Sequence, residues 1–171
     1  IAELHSLGDG GASVATGGTR IVPCTRPKPP PRGFAKIHVD AGVGRFNRGG
    51  SAAAICRDDQ GNYLGSSALV IPGVVDVATL EAIACREALS LAEDLHIHEL
   101  VIASDSKQVV DDIQKGSPCA YGSIISEIKQ STLAFNCLLT FEGRATNTDA
   151  NRFAKFSHFW IRGGMFGCLN P

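Results

Sequence analysis

The stretch TLEAIACREALSLAEDL, residues 79–95, places one carboxylate where a soluble helix should not have it. At about 100° per residue, Leu80, Ala84, Ala88, Leu91, Ala92 and Leu95 form one apolar face, and Arg86, Glu87, Glu93 and Asp94 fall opposite. Glu81 lies in the middle of the apolar face, with Ala84, Cys85 and Ala88 at i+3, i+4 and i+7. A lone buried carboxylate costs several kcal/mol unless it is neutralised, paired or bound to a metal. The rest of the chain must therefore answer Glu81, either with a buried cation of its own or with further ligands for a bound one.

The 171 residues suit one domain plus a tail, and 44% hydrophobic against 19% charged residues is enough for a core. No run approaches the ~18 apolar residues of a membrane span, so we expect an intracellular protein, nuclear or cytoplasmic, without membrane contact and monomeric. The first residue is Ile, which we read as the start of a piece of a longer polypeptide. Cysteines at 24, 56, 85, 119, 137 and 168 include no C-x-x-C pair and no Cys/His cluster, which argues against zinc and for reduced thiols. A net charge of −1 gives no global pull toward nucleic acid, so any such binding must be local.

Residues 1–33 hold five of the eight prolines and six glycines, the composition of a disordered linker rather than a core. Its Arg20, Arg26, Lys28 and Arg32 are compatible with phosphate contacts or with plain solubility. From Gly33 the pattern changes. AKIHVDAGV alternates as a strand, with Ile37 and Val39 on one face and His38 and Asp40 on the other. SAAAICRDD and NYLGSSALVI form a hairpin through DDQGN. ELVIASDS reads as a buried parallel strand, and Ser106 caps a helix that Gly116 closes. A helix over YGSIISEIKQSTLAF, a strand over CLLTFEGR and a last helix over TNTDANRFAKFS complete the order β-β-β-α-β-α-α-β-α. That order predicts a mixed five-stranded sheet, three antiparallel strands then two parallel, flanked by helices. We place the domain at 34–157 and leave 158–171 as an unassigned tail.

Asp40 closes the first strand and Asp105 closes the apolar strand that precedes the Ser106 cap. Ligands gather outside the carboxyl ends of such strands, and adjacent strands lie about 5 Å apart, so these two acids can be neighbours. The helix packed on that sheet would bring Glu81 to them. Three carboxylates at one point raise one another's pKa unless a cation holds them, and an all-oxygen set suits Mg²⁺ or Mn²⁺. Two such ions about 3.5–4 Å apart can clamp a phosphodiester. Taken singly, Asp40 also fits a strand-end turn, Asp105 an acid favoured by a helix dipole, and Glu81 the partner of a buried Arg.

KIHVDAGV, GGSAAAICRDDQGNYLG, EAIACREALSLA and VIASDSKQVVDDI together resemble the ribonuclease H type 1 family, in its plant and retroelement-derived reverse-transcriptase-like form, from about Lys28 to Ala154. The resemblance implies a ribonuclease H-like fold and two divalent ions held by Asp40, Glu81 and Asp105, with Glu81 near the 2′-hydroxyl that marks RNA. It implies hydrolysis of the RNA strand of an RNA–DNA hybrid, leaving 3′-hydroxyl and 5′-phosphate ends. At the fourth ligand position the family's acid is replaced: NTDANRFA supplies Asn147, Ala150, Phe153 and Ala154, but Asn151 stands at the acidic position. An amide oxygen can still ligate, with one negative charge fewer. Asp149 lies about 200° round the helix and fits a capping box with Thr146 instead.

The loop GVGRFNRGG offers Arg45, Asn47 and Arg48 as substrate contacts beside Asp40, and Lys107 and Arg144 are further candidates for phosphate. Each also reads as an ordinary surface residue. His38 shares a strand face with Asp40 and reads as a packed or solvated histidine. FEGRATN lacks the histidine that some family members use for product release. The alternative function is a catalytically weakened module of the same fold that binds nucleic acid or a protein partner without cleavage. Asn151 and the neutral charge balance favour that alternative; the three acids favour the enzyme.

Overall fold

The alternation of β1 (Ala35–Val43) divides the molecule in two. Ala35, Ile37 and Val39 belong to the main apolar core, whereas Lys36, His38 and Asp40 lie on the other side of the strand. The structure, a computed structural model, describes residues 27–160 apart from positions 45, 47, 117 and 146, and only the backbone of 156–160. Most of the linker and tail segments therefore lie outside the described residues.

β1 pairs antiparallel with β2 (Gly49–Arg57), and β2 with β3 (Tyr63–Pro72). β4 (Glu99–Ser104) joins β1 in parallel, and β5 (Asn136–Phe141) joins β4 in parallel. The sheet order β3-β2-β1-β4-β5 is the mixed sheet expected from the strand order. The β2–β3 turn is held by the Asp58 carboxylate, which accepts from the backbone N–H groups of Gln60 and Asn62 at 2.9 and 2.7 Å, and Gly61 supplies the left-handed residue at φ +87°.

The core face is covered by α1 (Val77–Asp94), α2 (Lys107–Lys115) and α3 (Gly122–Thr132), and the opposite face by α4 (Thr148–Trp160). Helix α1 starts two residues earlier than periodicity predicts, because Asp76 caps it by accepting from Thr79 N at 2.8 Å. Ser106 and Gly116 bracket α2 as expected, Gly116 at φ +71°. Helix α3 is shorter than the predicted 121–135, and its end tightens into single-turn bonds such as Ala134 N to Ser131 O. Helix α4 continues to Trp160, into the segment read as tail. Ser51 Oγ donates to Ala154 O at 2.8 Å and ties α4 to β2.

Two contacts position the end of the sheet. A Cβ on Gly50 would lie 2.2 Å from Leu80 Cδ1, so only glycine lets β2 and the first turn of α1 approach this closely. In addition, β4 stops short: its last pair with β1 is Val39 with Ser104, while β1 runs on beside β2 to Val43. Asp40 is thus not the strand's last residue, as its sequence context suggested. It is the first one past β4.

A carboxylate cluster at the end of strands β1 and β4

Because β4 ends at Ser104, a notch opens beside β1, and three acids enter it from different elements. Asp40 comes from β1, Asp105 from the residue after β4, and Glu81 from the first turns of α1. One carboxylate oxygen of each lies within 4.8 Å of the others, the one such metal-compatible group among the described residues. Glu81 accepts from the backbone N–H of Ala41, just beyond the last β1–β4 pair. The acid on the apolar face of α1 is therefore aimed at the strand end rather than at a buried arginine.

The cluster is under electrostatic load. Glu81 is 5% exposed and Asp40 3% exposed. Burial first, then the charges of Asp40 and Asp105, push Glu81 up to about 8. Burial first, then Asp105, pushes Asp40 up to about 6, partly offset by Asn151. Asp40 Oδ2 and Glu81 Oε2 are buried without a hydrogen-bond partner. Two orphaned carboxylate oxygens beside a third acid are what a hard divalent cation would satisfy, so the donor set fits such an ion.

The candidates of the sequence reading divide. Asn151 reaches the rim of the cluster, its Nδ2 3.5 Å from Asp40 Oδ1. Arg144 meets it directly, its Nε donating to Asp105 Oδ2 at 3.0 Å. Lys107 instead pairs with Asp111 at 2.9 Å along α2. Arg48 is exposed in the β1–β2 loop, and Arg45 and Asn47 lie outside the described residues. Asp149 is engaged by Arg57 at 3.1 Å, away from the three acids; Thr146, its suggested capping partner, lies outside the described residues.

Sequence reasoning missed the layer behind the cluster. Lys36, 3% exposed, is ion-paired with Glu142, and His38 Nε2 sits 3.6 Å from Glu142 Oε2. His38 is thus a packed residue, and burial foremost, with Lys36 next, lowers its pKa. Asn147, 2% exposed, donates from Nδ2 to Val39 O at 2.6 Å, pinning the approach to α4 against the strand that carries Asp40. A cavity of about 300 Å³ opens here, lined by Lys36, His38, Arg57 and Asn147 and by none of the three acids. Alternation within β1 puts Lys36 and His38 on the face of Asp40, but nothing local reveals that Glu142 lies over them.

A family model described as reverse transcriptase-like matches residues 38–157. No curated protein matches the chain. Among solved structures, RNase H1 from the halophilic archaeon Halobacterium salinarum NRC-1 superposes with a TM-score of 0.64 at 17% identity, covering 71% of this chain and 94% of that one. The N-terminal RNase H domain of a Mycobacterium tuberculosis protein gives 0.65 at 20% identity, covering 76% and 99%. LC11-RNase H1, whose structure was solved in complex with an RNA/DNA hybrid, gives 0.63 at 17% identity, covering 73% and 99%.

Proposed function

Because this chain belongs to the reverse transcriptase-like family of RNase H-like domains, we propose that it hydrolyses the RNA strand of RNA–DNA hybrids with divalent cations bound at Asp40, Glu81 and Asp105. The observation that carries this reading is the convergence of three carboxylate oxygens within 4.8 Å, two of the acids holding an orphaned buried oxygen. The donors that reach the three acids are the Ala41 N–H, the Asn151 amide and the exposed Arg144, and among the described residues the cluster has no buried cation of the kind that Glu142 has in Lys36.

When bound, two Mg²⁺ or Mn²⁺ ions would supply an activated water and charge stabilisation for the departing 3′-oxygen. The chain's own contribution is placement. β1 carries Asp40, the end of the neighbouring β4 presents Asp105 as the next residue, and α1, seated on Gly50, carries Glu81 to the same notch. Glu81 is the acid closest in role to the RNA 2′-hydroxyl in the family pattern. Asn151 brings an amide where the family has an acid, and its oxygen would have to face an ion for it to ligate. Arg48, Lys107 and Arg144, with Arg45 and Asn47, are the side chains offered to the sugar–phosphate backbone.

The competing reading, a module that binds without cutting, draws on Asn151 and on the Arg144–Asp105 pair, each of which reduces the negative charge available to an ion. Incubating a labelled RNA–DNA hybrid with the domain in Mg²⁺ or Mn²⁺, beside Asp105→Asn, separates the two. Cleavage by the wild type well above the variant supports the nuclease. Equal rates, with hybrid binding retained, support the binding module.

A further inference from the structure

Among the described residues, one cationic side chain hydrogen-bonds to the carboxylate cluster. Arg144 Nε lies 3.0 Å from Asp105 Oδ2, and the two ends of this pair are unlike: the Asp105 side chain is 4% exposed and that of Arg144 is 86% exposed. An exposed guanidinium that holds a buried acid at one end gives up little on release, because its other N–H groups are already solvated. Lys155 and Arg144 both act on Asp40 through their charge, but no hydrogen bond joins Lys155 to the cluster.

The segment that carries Arg144 is fixed on both sides. Before it, Glu142 is held by Lys36, and its backbone N–H donates to Ser104 O at 2.9 Å. After it, Asn147 is bonded to Val39 O. Short tethers next to β4 and β1 thus keep Arg144 beside Asp105 whatever its side chain does. The planar guanidinium is also suited to phosphate oxygens, which it can grip through two parallel bonds.

We propose that Arg144 is an exchangeable counterion, holding Asp105 while no divalent cation is bound and moving to a phosphate of the nucleic acid when a cation takes Asp105. The proposal rests on the metal-dependent reading above. It differs from a fixed ion pair, which would support the metal site, and from a simple phosphate contact, which would leave metal affinity alone.

The two halves of the exchange have opposite signs in one variant. Calorimetric Mn²⁺ titration without nucleic acid should show Arg144→Ala binding about fivefold more tightly than wild type, the size of a good exposed ion pair. Arg144→Lys should fall between the two. Lys155→Ala, which removes an equal charge near Asp40 without removing a bond, should change Mn²⁺ affinity by less than about twofold. Anisotropy with a labelled RNA–DNA hybrid in Ca²⁺ should show the reverse for Arg144→Ala: weaker binding, with the salt slope reduced by about one. Mn²⁺ affinity in Arg144→Ala no tighter than in Lys155→Ala overturns the exchange, and so does unchanged hybrid affinity. Hybrid cleavage is read separately. Tighter Mn²⁺ binding with no cleavage by the wild type would remove the nuclease reading and leave the counterion role intact, whereas no Mn²⁺ uptake by the wild type defeats both.

Discussion

Lys36 and Asp40 stand on one face of β1, four residues apart and both about 3% exposed, yet their charges are treated in opposite ways. Lys36 is met by Glu142, with the backbone carbonyl of Lys28 as a second acceptor. Asp40 is met by two more acids, a 3.5 Å contact from an amide and a guanidinium bound to its neighbour. Burying a charge is tolerable when its partner is buried with it. At Lys36 the chain supplies that partner; at Asp40 it supplies more of the same sign. The first arrangement ties the residue that follows β5 to β1 across the intervening β4, and the second is complete only when something positive arrives from outside.

The strongest test of the contrast is to neutralise one charge in each place. Asp40→Asn should cut hybrid cleavage by about a thousandfold, since it removes a ligand from chemistry to which bound ions contribute several kcal/mol. The same change relieves repulsion, so the unfolding midpoint of the ion-free domain should stay level or rise. Lys36→Met should do the reverse to stability, leaving Glu142 buried and unpaired at a cost of about 3–5 kcal/mol, visible as a lower denaturation midpoint. Adding Glu142→Leu should recover most of that loss. A stable Lys36→Met variant would mean that the two clusters are not different in kind.

The pH dependence of stability sharpens the same point without mutation. Glu81 is lifted from an ordinary 4.5 to about 8, and Asp40 from 3.8 to about 6, both chiefly by burial. The folded state therefore holds protons that the unfolded chain has released, and stability must fall as pH rises through this window. In the presence of a chelator, the unfolding free energy should drop between pH 5 and pH 8, by on the order of a few kcal/mol in total, read from denaturant titrations. Saturating Mg²⁺ should flatten the decline, because the cation takes the place of those protons. A curve that stays flat in chelator would show that the acids are better solvated than their burial implies.

The contrast also explains which parts could be read from the chain. The order of elements was legible because period-2 and period-3.6 patterns, Ser106 and Gly116 are local signals. Glu81, Asp40 and Asp105 were legible because each breaks a local rule, a charge on an apolar face or at the end of an apolar strand. The extension of β1 beyond Asp40 was not, since it depends on how far β2 runs beside it. Nor was the Lys36–Glu142 pair, whose members are 106 positions apart and joined by no local pattern. Asn147 was noticed as part of a motif, but its bond to Val39 O, across 108 positions, follows only from the packing of α4. Arg144 sits between these cases: it was a candidate, and the structure adds its partner.

Asn151→Asp is the smallest expected effect and bears most directly on how open the front cluster is. Asn151 offers Asp40 an N–H at 3.5 Å, a weak bond that partly offsets the rise in the Asp40 pKa. An aspartate there would remove that donor and add a fourth negative charge at the rim. Without ions the domain should lose stability, and the loss should deepen as pH rises, because the added charge penalises ionised Asp40 and Glu81. With ions the same charge becomes attractive, and the Mn²⁺ dissociation constant should fall by about tenfold, near the value of one well-placed charge at close range. Calorimetric titration of the single variant and of Asn151→Asp with Arg144→Ala would show whether the two charges act on one ion. Independent action predicts additive gains, whereas competition for the same ion predicts that the double variant gains less than the sum. An Asn151→Asp variant that binds Mn²⁺ no better than wild type would place position 151 outside the metal's reach and reduce the cluster to the three acids of β1, α1 and β4.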